Sequence, residues 1–492
     1  MSKDSPDITK VEPSTAPSIH EGKVSTVATD IVHAAEDEFT PEQYRKLLRN
    51  LSTQAVFGIE KDCHLVGQQY SWLTSIFYIA FLVAETPGNY LLQRGSVGPT
   101  VAVSMFLWGI IVLCIAFAKN FAGLAALRFL EGVVECTTYP ALLIITGSIY
   151  TSEEHAMRSV IWGSSNAGMD VLTSLINYGI GRRAEAHPGG LAPWKGISLF
   201  LGSFTIVLSV VVYFCFGTPR ELRWLSPEEK RMAAARAVRN QTGSDNQKHE
   251  FRWDQVRTAF KDPQTYFFFL LVIVNSIPSG GTISFGNQVY ESFGFTNLET
   301  IVEGKIPYQL LSIVWFLVAG WITVKKPNVR FYVMMISIVP AFVGMLALAL
   351  LPHRNSLLWT RWGMFFITSI GNLAGPLIWT LLPSNVGGRT KKSVTGTVLF
   401  IAYCVGNCVG AQVFRSEDAP RYIPAIVVCS IMYGLEIVIM AAWRTYYVWQ
   451  NHRRAALIRE MGLTAAEAAH QGYLNAESDM TDLENVYFKY SL

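Results

Sequence analysis

Three ionisable residues within one apolar run share a helical face. Arg128, Glu131 and Glu135 stand at positions i, i+3 and i+7, a spacing that places side chains on one side of a helix. A cation beside two carboxylates suits anion binding and proton transfer, because a carboxyl group removed from water holds its proton more tightly. We therefore predict Arg128 as a substrate-binding residue and Glu131 and Glu135 as proton-coupling residues. The alternative is a structural ion pair that fixes this helix to a neighbour.

A second polar face lies in the next apolar run. Asn166, Asp170 and Asn177 stand at i, i+4 and i+11, and Asp170 is the single acid of that run. An ionisable side chain in the middle of a membrane helix costs roughly 2.5–3.5 kcal/mol on insertion scales, so it persists where it faces a cavity or a partner. Asn166 is predicted to bind substrate and Asp170 to take part in proton coupling. Hydrogen bonding between helices is an equal alternative.

Two further charged residues stand towards the end of the first apolar run. Glu85 lies close to Pro87, and Arg94 follows the last apolar residues. Their position near a helix end predicts a gating or structural role rather than substrate contact.

In the second half of the chain the polar residues within apolar runs are neutral. Asn275, Trp379 and Tyr403 are predicted to bind substrate, because amide donors and aromatic rings can hold amide or ureido groups by hydrogen bonds and stacking. Helix packing is the alternative for each of them. The same alternative applies to the other polar residues of these runs, which are Asn287, Gln309, Asn372, Asn407 and Gln412.

The sequence carries no pattern typical of a metal, cofactor or enzyme site. Six of the seven cysteines lie in apolar runs, and none stands at zinc-ligand spacing from a His or a further pair of Cys. The phosphate-binding pattern GxxxxGK[ST] of ATP-driven pumps is absent. A net charge of +3 does not suggest nucleic-acid binding. We predict no metal, no cofactor and no enzymatic activity.

The composition indicates the class of elements that position these residues. Half of the 492 residues are hydrophobic and 16% are charged, against about 25% charged residues in soluble domains. A bilayer core about 30 Å thick is spanned by roughly 20 apolar residues in a helix. Eleven runs meet this length and predict an all-α polytopic membrane protein; they lie at 69–91, 99–118, 121–149, 159–180, 194–217, 265–289, 303–323, 329–352, 358–383, 393–414 and 423–447.

A long polar segment divides the runs into two bundles. Residues 218–263 predict a linker with a basic amphipathic helix that begins at Ser226-Pro227. The bundles extend over 46–217 and 264–448, between a disordered N-terminal tail, 1–45, and a C-terminal tail, 449–492. Loops on the linker side carry more Lys and Arg than the opposite loops, where Lys305 is placed, so the linker and the C-terminus are predicted to be cytosolic.

Five runs before the linker and six after it form an uneven pair. The apolar stretch at 51–59 is too short to span a bilayer. Either the N-terminus lies on the side opposite the linker, or a helix is missing from the first half.

Several segments resemble a known family. AALRFLEGVVECTTYPALLIITGSIYTSEE, with Gly132 four residues after Arg128, resembles the fourth helix of the major facilitator superfamily. WLSPEEK, SNVGGRTKK, TDLENVYFKY and the segment 60–94 resemble the fungal anion:cation symporter family, most closely its allantoate permease group. The resemblance implies twelve helices in two halves with the solute site at the midplane between them.

The sequence departs from this family in two places. Family members carry a first helix that ends in a Leu-Asp-Arg type sequence, whereas here LLRN directly precedes LSTQAVFGI, so most of the first membrane helix is predicted to be lacking. The superfamily pattern Gly-x-x-x-Asp-Arg has only a loose counterpart from Gly88 to Arg94, without the Asp. This departure weakens the prediction of a gating salt bridge.

The predicted function is proton-coupled uptake of a small organic anion by alternating access. The resemblance implies an allantoate-, ureidosuccinate- or nicotinate-like carboxylate as substrate, and protons and the lipid bilayer as further partners. The protein is expected to be a multi-pass monomer of the plasma membrane. The alternatives are a solute sensor or inactive truncated form that does not transport, and an efflux carrier for a secondary metabolite.

Overall fold

A computed structural model of the protein describes residues 57–138, 140–141, 145, 152–187, 189–219, 221–222, 224–230, 252–326, 328–352, 354–464, 467–468, 470–472, 475 and 479–492, with the backbone alone for 152–163. Every regular element in this part of the chain is helical, which confirms the all-α class. The predicted N-terminal tail, the segment before residue 57 where a first helix is predicted to be lacking, and most of the amphipathic linker helix lie outside the described residues.

Helices occupy all eleven predicted runs. Two of them are irregular: α7 begins with a short helix and a π-helical turn, and α9 contains a 3₁₀ stretch. The bounds are α1 Gln69–Arg94, α2 Val97–Ile115, α3 Phe121–Glu135, α4 Ser152–Ala186, α5 Pro193–Cys215, α6 Pro263–Glu291, α7 Asn297–Glu299 with Thr300–Lys305 and Ile306–Lys325, α8 Arg330–Leu350, α9 Leu358–Phe366 with Ile367–Leu373 and Ala374–Asn385, α10 Arg389–Val413 and α11 Ile423–Glu460.

Eight of the described helices are long and apolar enough to cross a bilayer: α2 and α5 to α11. The other three, α1, α3 and α4, carry the ionisable residues that the sequence analysis singles out in the first half. Glu85 lies in α1, Arg128 in α3 and Asp170 in α4. The described part of α3 is 15 residues long, which is shorter than a membrane span.

The helices pack as two bundles. In the first, α1 packs on α3 and α2 packs on α5; in the second, α6 packs on α10 and α8 packs on α11. The bundles meet along two seams, α1 against α10 and α4 against α7. Glycines permit the closest approaches within each bundle, because a Cβ at Gly132 would collide with the Phe77 carbonyl and one at Gly410 with the Ile277 carbonyl.

Hydrogen bonds, all but one of them between neutral groups, join the bundles near one end of the α1–α10 seam. This end, which includes Gln69 and Glu291, is called the distal face; the opposite end, which includes Cys215 and Pro263, is called the linker face. The bonds are Tyr70 Oη to the Ser284 carbonyl at 3.0 Å, Thr74 Oγ1 with Ser284 Oγ at 3.1 Å, Ser71 Oγ to the Phe414 carbonyl at 3.3 Å, Gln412 Nε2 to Ser75 Oγ at 2.7 Å and Gln288 Nε2 to Glu60 Oε1 at 2.9 Å.

The C-terminal segment, residues 479–492, packs on the linker face of the second bundle. Lys391 Nζ donates to Asp262 Oδ2 and, at 2.6 Å, to Asp482 Oδ1, and all three side chains are fully buried. Tyr490 Oη donates to Asp482 Oδ2 at 2.7 Å, and Arg454 Nη2 donates to the Asp482 carbonyl at 2.6 Å. The segment therefore ties together the ends of α6, α10 and α11.

This arrangement differs from the predicted division of the chain near residue 448. Helix α11 continues to Glu460, beyond the predicted end of its run at 447. The C-terminal segment is part of the packed structure of the second bundle, because it supplies a buried carboxylate to Lys391. An exposed tail would not hold a charge in this way.

Replacing Lys391 by Met removes the cation that Asp262 and Asp482 share. Breaking a buried ion pair by removing one partner costs about 3–5 kcal/mol, so we expect a clearly lower thermal unfolding midpoint for the purified protein in detergent, followed by intrinsic fluorescence. Arg252→Met is the matched control, because Arg252 forms an exposed pair with Asp254 and its loss should change the midpoint little. Equal midpoints for the two variants would contradict the structural role of the Lys391 network.

Candidate functional site

A polar cavity lies between the two bundles. Its volume is about 110 Å³ for the centres of water-sized molecules, and about 1260 Å³ when all empty space up to the open solvent is included. Helix α4 of the first bundle and helices α6, α7, α9, α10 and α11 of the second contribute to its walls. Because both bundles form its walls, a movement of one bundle relative to the other would change the access of solutes to the cavity.

Four of the five predicted substrate-binding residues line this cavity. They are Asn166 on α4, Asn275 on α6, Trp379 on α9 and Tyr403 on α10. Side chains separated by more than 200 residues in the sequence are thus brought to one space. Their part in substrate binding stays a prediction.

Arg128 is not among the residues that line this cavity. It is 1% exposed, and its Nη1 donates to Glu131 Oε2 of the same helix at 3.0 Å. Its Nε and Nη2 atoms have no hydrogen-bond partner among the described residues. Glu135 is buried one turn further along the same helix. The predicted shared face of α3 therefore exists, but it lies within the first bundle and apart from the cavity.

Asp170 forms an ion pair that joins the two bundles. Its Oδ1 lies 3.1 Å from Lys305 Nζ, and Gln309 Nε2 donates to its Oδ2 at 2.5 Å. The Asp170 side chain is fully buried and that of Lys305 is 9% exposed. Lys305 and Gln309 line the cavity. This contact on the α4–α7 seam is called the Asp170–Lys305 bridge below.

Lys305 was placed by the sequence analysis in a loop opposite the linker, and that placement is wrong. It is the last residue of the π-helical turn in α7 and is buried against the cavity. A π turn adds a residue to one helical turn and is frequent at functional sites; this local change of helical phase cannot be read from an apolar run. The available signal was a Lys inside the run, four residues before Gln309, hence on the same helical face.

Glu436 is a second residue that the sequence analysis missed. It lies on α11, is fully buried, and its Oε1 accepts a hydrogen bond from Asn275 Nδ2 at 2.9 Å. Glu436 thus stands directly behind a cavity residue. The signal that singled out Asp170 applied here too, because Glu436 is the single acid in its apolar run.

Aromatic rings form one wall of the cavity. The rings of Trp379 and Tyr403 meet edge to face at 6.4 Å between centroids, and Tyr403 meets Tyr78 of α1 at 6.0 Å. Phe81 and Phe400 pack at 5.1 Å beside them. These contacts continue the α1–α10 seam to the depth of the cavity. Trp379 and Tyr403 offer flat apolar surfaces to the cavity that Asn166 and Asn275 also line.

Irregular helix also borders the cavity. In the 3₁₀ stretch of α9, Asn372 Nδ2 donates to Tyr308 Oη at 3.4 Å and to Ser312 Oγ at 3.3 Å of α7. Irregular backbone within membrane helices is tolerated where it lines a cavity, and interrupted helices are typical of solute sites in transporters. Both irregular segments, the 3₁₀ stretch and the π turn, border this one cavity.

The predicted gating residues Glu85 and Arg94 do not contact one another. Glu85 Oε1 accepts from Asn89 Nδ2 at 3.0 Å, and the Arg94 guanidinium lies over the Tyr90 ring at 4.6 Å. Each interacts with its own helix. A gating role for either residue stays a prediction.

The sequence is similar to those of fungal transporters. It is 30% identical over 440 residues to an uncharacterized transporter of Schizosaccharomyces pombe, covering 89% of this chain and 82% of that protein. It is 28% identical over 491 residues to the allantoate permease of Saccharomyces cerevisiae, covering 93% and 88%. It is 27% identical to the high affinity cysteine transporter of the same yeast, covering 93% of both. The predicted resemblance to the allantoate permease group is thereby confirmed at the level of sequence similarity.

The fold is similar to those of solved transporters. The proton:xylose symporter XylE superposes with a TM-score of 0.63 at 12% identity, covering 85% of this chain and 95% of XylE. A bacterial homolog of the human lysosomal transporter Spinster superposes with a TM-score of 0.57 at 14% identity. The family model of the Major Facilitator Superfamily matches residues 49–411. With two helical bundles, a cavity between them and these relatives, the chain is a multi-pass membrane transporter that belongs to the Major Facilitator Superfamily.

Proposed function

We propose that this transporter couples the uptake of a small organic anion to the entry of protons, by alternating access to the cavity between its bundles. The observation that carries the proposal is the Asp170–Lys305 bridge in the cavity wall. It supplies a cation able to bind a carboxylate and a carboxylate able to bind a proton, at one place. A buried cation within a membrane protein is costly unless it serves a partner or a pathway.

The cavity suits a solute that carries both a carboxylate and amide-like groups. The Lys305 ammonium group can donate hydrogen bonds to the carboxylate. The amides of Asn166, Asn275 and Asn372 offer neutral donors and acceptors, and Trp379 offers a flat surface. The similarity to an allantoate permease supports this substrate class, since a ureido acid combines these groups.

Access to the cavity changes when the bundles separate at the distal face. Most of the closing contacts there are hydrogen bonds between neutral groups, such as that of Tyr70 Oη to the Ser284 carbonyl. A neutral bond contributes about 0.5–1.5 kcal/mol net, so a few such bonds can close this face and still release it. The excess of basic residues in the loops on the linker side supports a cytosolic linker and C-terminus. We propose the plasma membrane as the site, with the distal face outside.

Arg128 remains the second candidate for anion recognition. Within the part of the chain that the structure describes, two of its guanidinium nitrogens lack hydrogen-bond partners although the side chain is buried, and unmet donors of a buried charged group are costly. Glu131 and Glu135 remain candidates for proton coupling beside it. The two ion pairs differ in location. The Arg128–Glu131 pair lies within a single helix, whereas the Asp170–Lys305 bridge joins the two bundles.

Removing the charge of Lys305 tests the anion site. Lys305→Gln should reduce kcat/KM for a labelled carboxylate at least about 30-fold, since truncating one partner of a buried charge pair costs roughly 2 kcal/mol or more. Uptake is measured in cells at equal surface expression, with allantoate, ureidosuccinate and nicotinate as substrates. Lys325→Gln, at the linker end of the same helix, is the control and should transport normally. Unchanged carboxylate uptake by Lys305→Gln would remove Lys305 from the site.

Replacing Arg128 by Lys tests the second cation. Lys keeps the charge but cannot present the planar fork of donors that binds a carboxylate bidentately. Because hydrogen bonds to charged groups contribute about 1.5–3 kcal/mol, uptake should fall roughly tenfold or more. Arg183→Lys, at an exposed position near the distal end of α4, is the matched control. Wild-type uptake by Arg128→Lys would leave Arg128 with a structural role only.

A further inference from the structure

The buried carboxyl group of Glu436 has no part in the function proposed above. Glu436 lies on α11, which packs against α6 within the second bundle. Its side chain is fully buried, and it does not belong to the residues that line the cavity. Burying a carboxyl group is costly unless hydrogen bonds replace the water that it loses, so a partner close to Glu436 must satisfy this group.

The partner of Glu436 is the amide group of Asn275 on α6. Asn275 Nδ2 donates to Glu436 Oε1 at 2.9 Å, and Glu436 Oε2 has no hydrogen-bond partner among the described residues. A carboxylate oxygen only accepts, whereas the two ends of an amide group differ, since its nitrogen donates and its oxygen accepts. The reverse orientation of the amide would set its oxygen against another acceptor. Glu436 therefore fixes which end of the Asn275 amide faces away from α11.

The amide oxygen of Asn275 lies beside a gap in the cavity wall. Gly375 on α9 lines the cavity together with Asn275. A Cβ atom at Gly375 would lie 3.2 Å from Asn275 Oδ1, and it would meet no other atom of the described residues within 4 Å outside its own helical turns. The glycine thus leaves space next to Oδ1. A polar atom at the wall of a solute cavity fixes the orientation and identity of the solute, and here that atom is an acceptor.

We propose that Glu436 is a positioning residue for substrate selection: it holds the Asn275 amide so that Oδ1 is the atom offered to the solute, and the site selects carboxylates that also carry an N–H donor, such as a ureido or amide group. This inference rests on the proposed function and assigns a substrate class to the same cavity. Glu436 itself does not touch the solute and acts through Asn275.

The selection acts between solutes that the proposed function treats alike. Ureidosuccinate presents N–H groups, which can donate to an amide oxygen. Nicotinate presents a ring nitrogen that accepts, and it would meet Asn275 Oδ1 as a second acceptor. A site built to hydrogen-bond an N–H group rejects a solute that lacks it, because the polar group of the site is then left unpaired. The wild-type protein should therefore prefer ureidosuccinate to nicotinate in kcat/KM by about tenfold or more.

Glu436→Gln allows the Asn275 amide to reverse. A glutamine at this position can donate to Asn275 Oδ1, and Asn275 Nδ2 then faces the solute. In cells we expect the ratio of kcat/KM for labelled ureidosuccinate to that for labelled nicotinate to fall about tenfold, with accumulation driven by a pH gradient retained. A ratio does not change when less folded protein is present. Glu460→Gln, at the exposed end of the same helix, is the matched control and should keep the wild-type ratio.

Gly375→Ala covers the acceptor oxygen and leaves Glu436 in place. The added methyl group would lie 3.2 Å from Asn275 Oδ1, so it shields this oxygen from a solute donor. The same ratio should fall about tenfold, because uptake of ureidosuccinate loses a hydrogen bond that nicotinate does not make. Gly363→Ala is the matched control, because a Cβ atom at Gly363 of the same helix would meet no atom within 4 Å in the described structure. This variant decides the matter if Glu436→Gln does not reach the cell surface.

The possible failures of this inference and of the proposed function are distinct. Wild-type protein that transports ureidosuccinate and nicotinate equally well would overturn the inference and leave the proposed function intact. An unchanged ratio in Glu436→Gln or Gly375→Ala would also overturn it. Loss of pH-driven accumulation by Glu436→Gln at an unchanged ratio would make Glu436 a proton carrier instead. If the wild-type protein accumulates neither carboxylate, the proposed function itself fails.

Discussion

A charge buried among membrane helices must be balanced by a partner, and this constraint underlies most of the polar structure of the protein. It pairs Asp170 with Lys305 between the bundles, Arg128 with Glu131 inside one helix, and Lys391 with Asp262 and Asp482 at the linker face. The same requirement has two consequences: a pair within a helix or bundle stabilises that unit, whereas a pair between bundles holds the two units together.

The two seams between the bundles differ in chemistry. The α1–α10 seam is closed near the distal face by neutral hydrogen bonds, as between Gln412 and Ser75, and deeper by aromatic contacts. The α4–α7 seam carries the charged bridge. Within each bundle, glycines such as Gly410 bring backbones into direct contact, and the C-terminal segment fixes the helix ends. We infer that each bundle moves as a rigid body. The relative position of the two bundles is sensitive to charge at the α4–α7 seam, whereas weaker contacts close the α1–α10 seam.

Apolar runs of membrane-spanning length predicted every described membrane helix, because about 20 apolar residues have few other structures available. The rule that intramembrane polar residues face a cavity or a partner predicted the placement of Asn166 and Trp379 at the cavity. The rule does not tell whether a residue faces the cavity or a partner, and Arg128 contacts a partner within its own bundle. Lys305 was missed because a π turn changes the helical phase locally. The role of Asp482 was missed because the C-terminal segment has no periodic pattern of apolar residues.

The central claim is that this transporter uses a proton gradient to concentrate an organic anion. Its most direct test is accumulation of labelled allantoate by proteoliposomes holding the purified protein, with the external medium more acidic than the lumen. The account predicts internal concentrations above the external one, abolished by a protonophore. Uptake that only reaches the external concentration, or that is unaffected by collapse of the gradient, would contradict it.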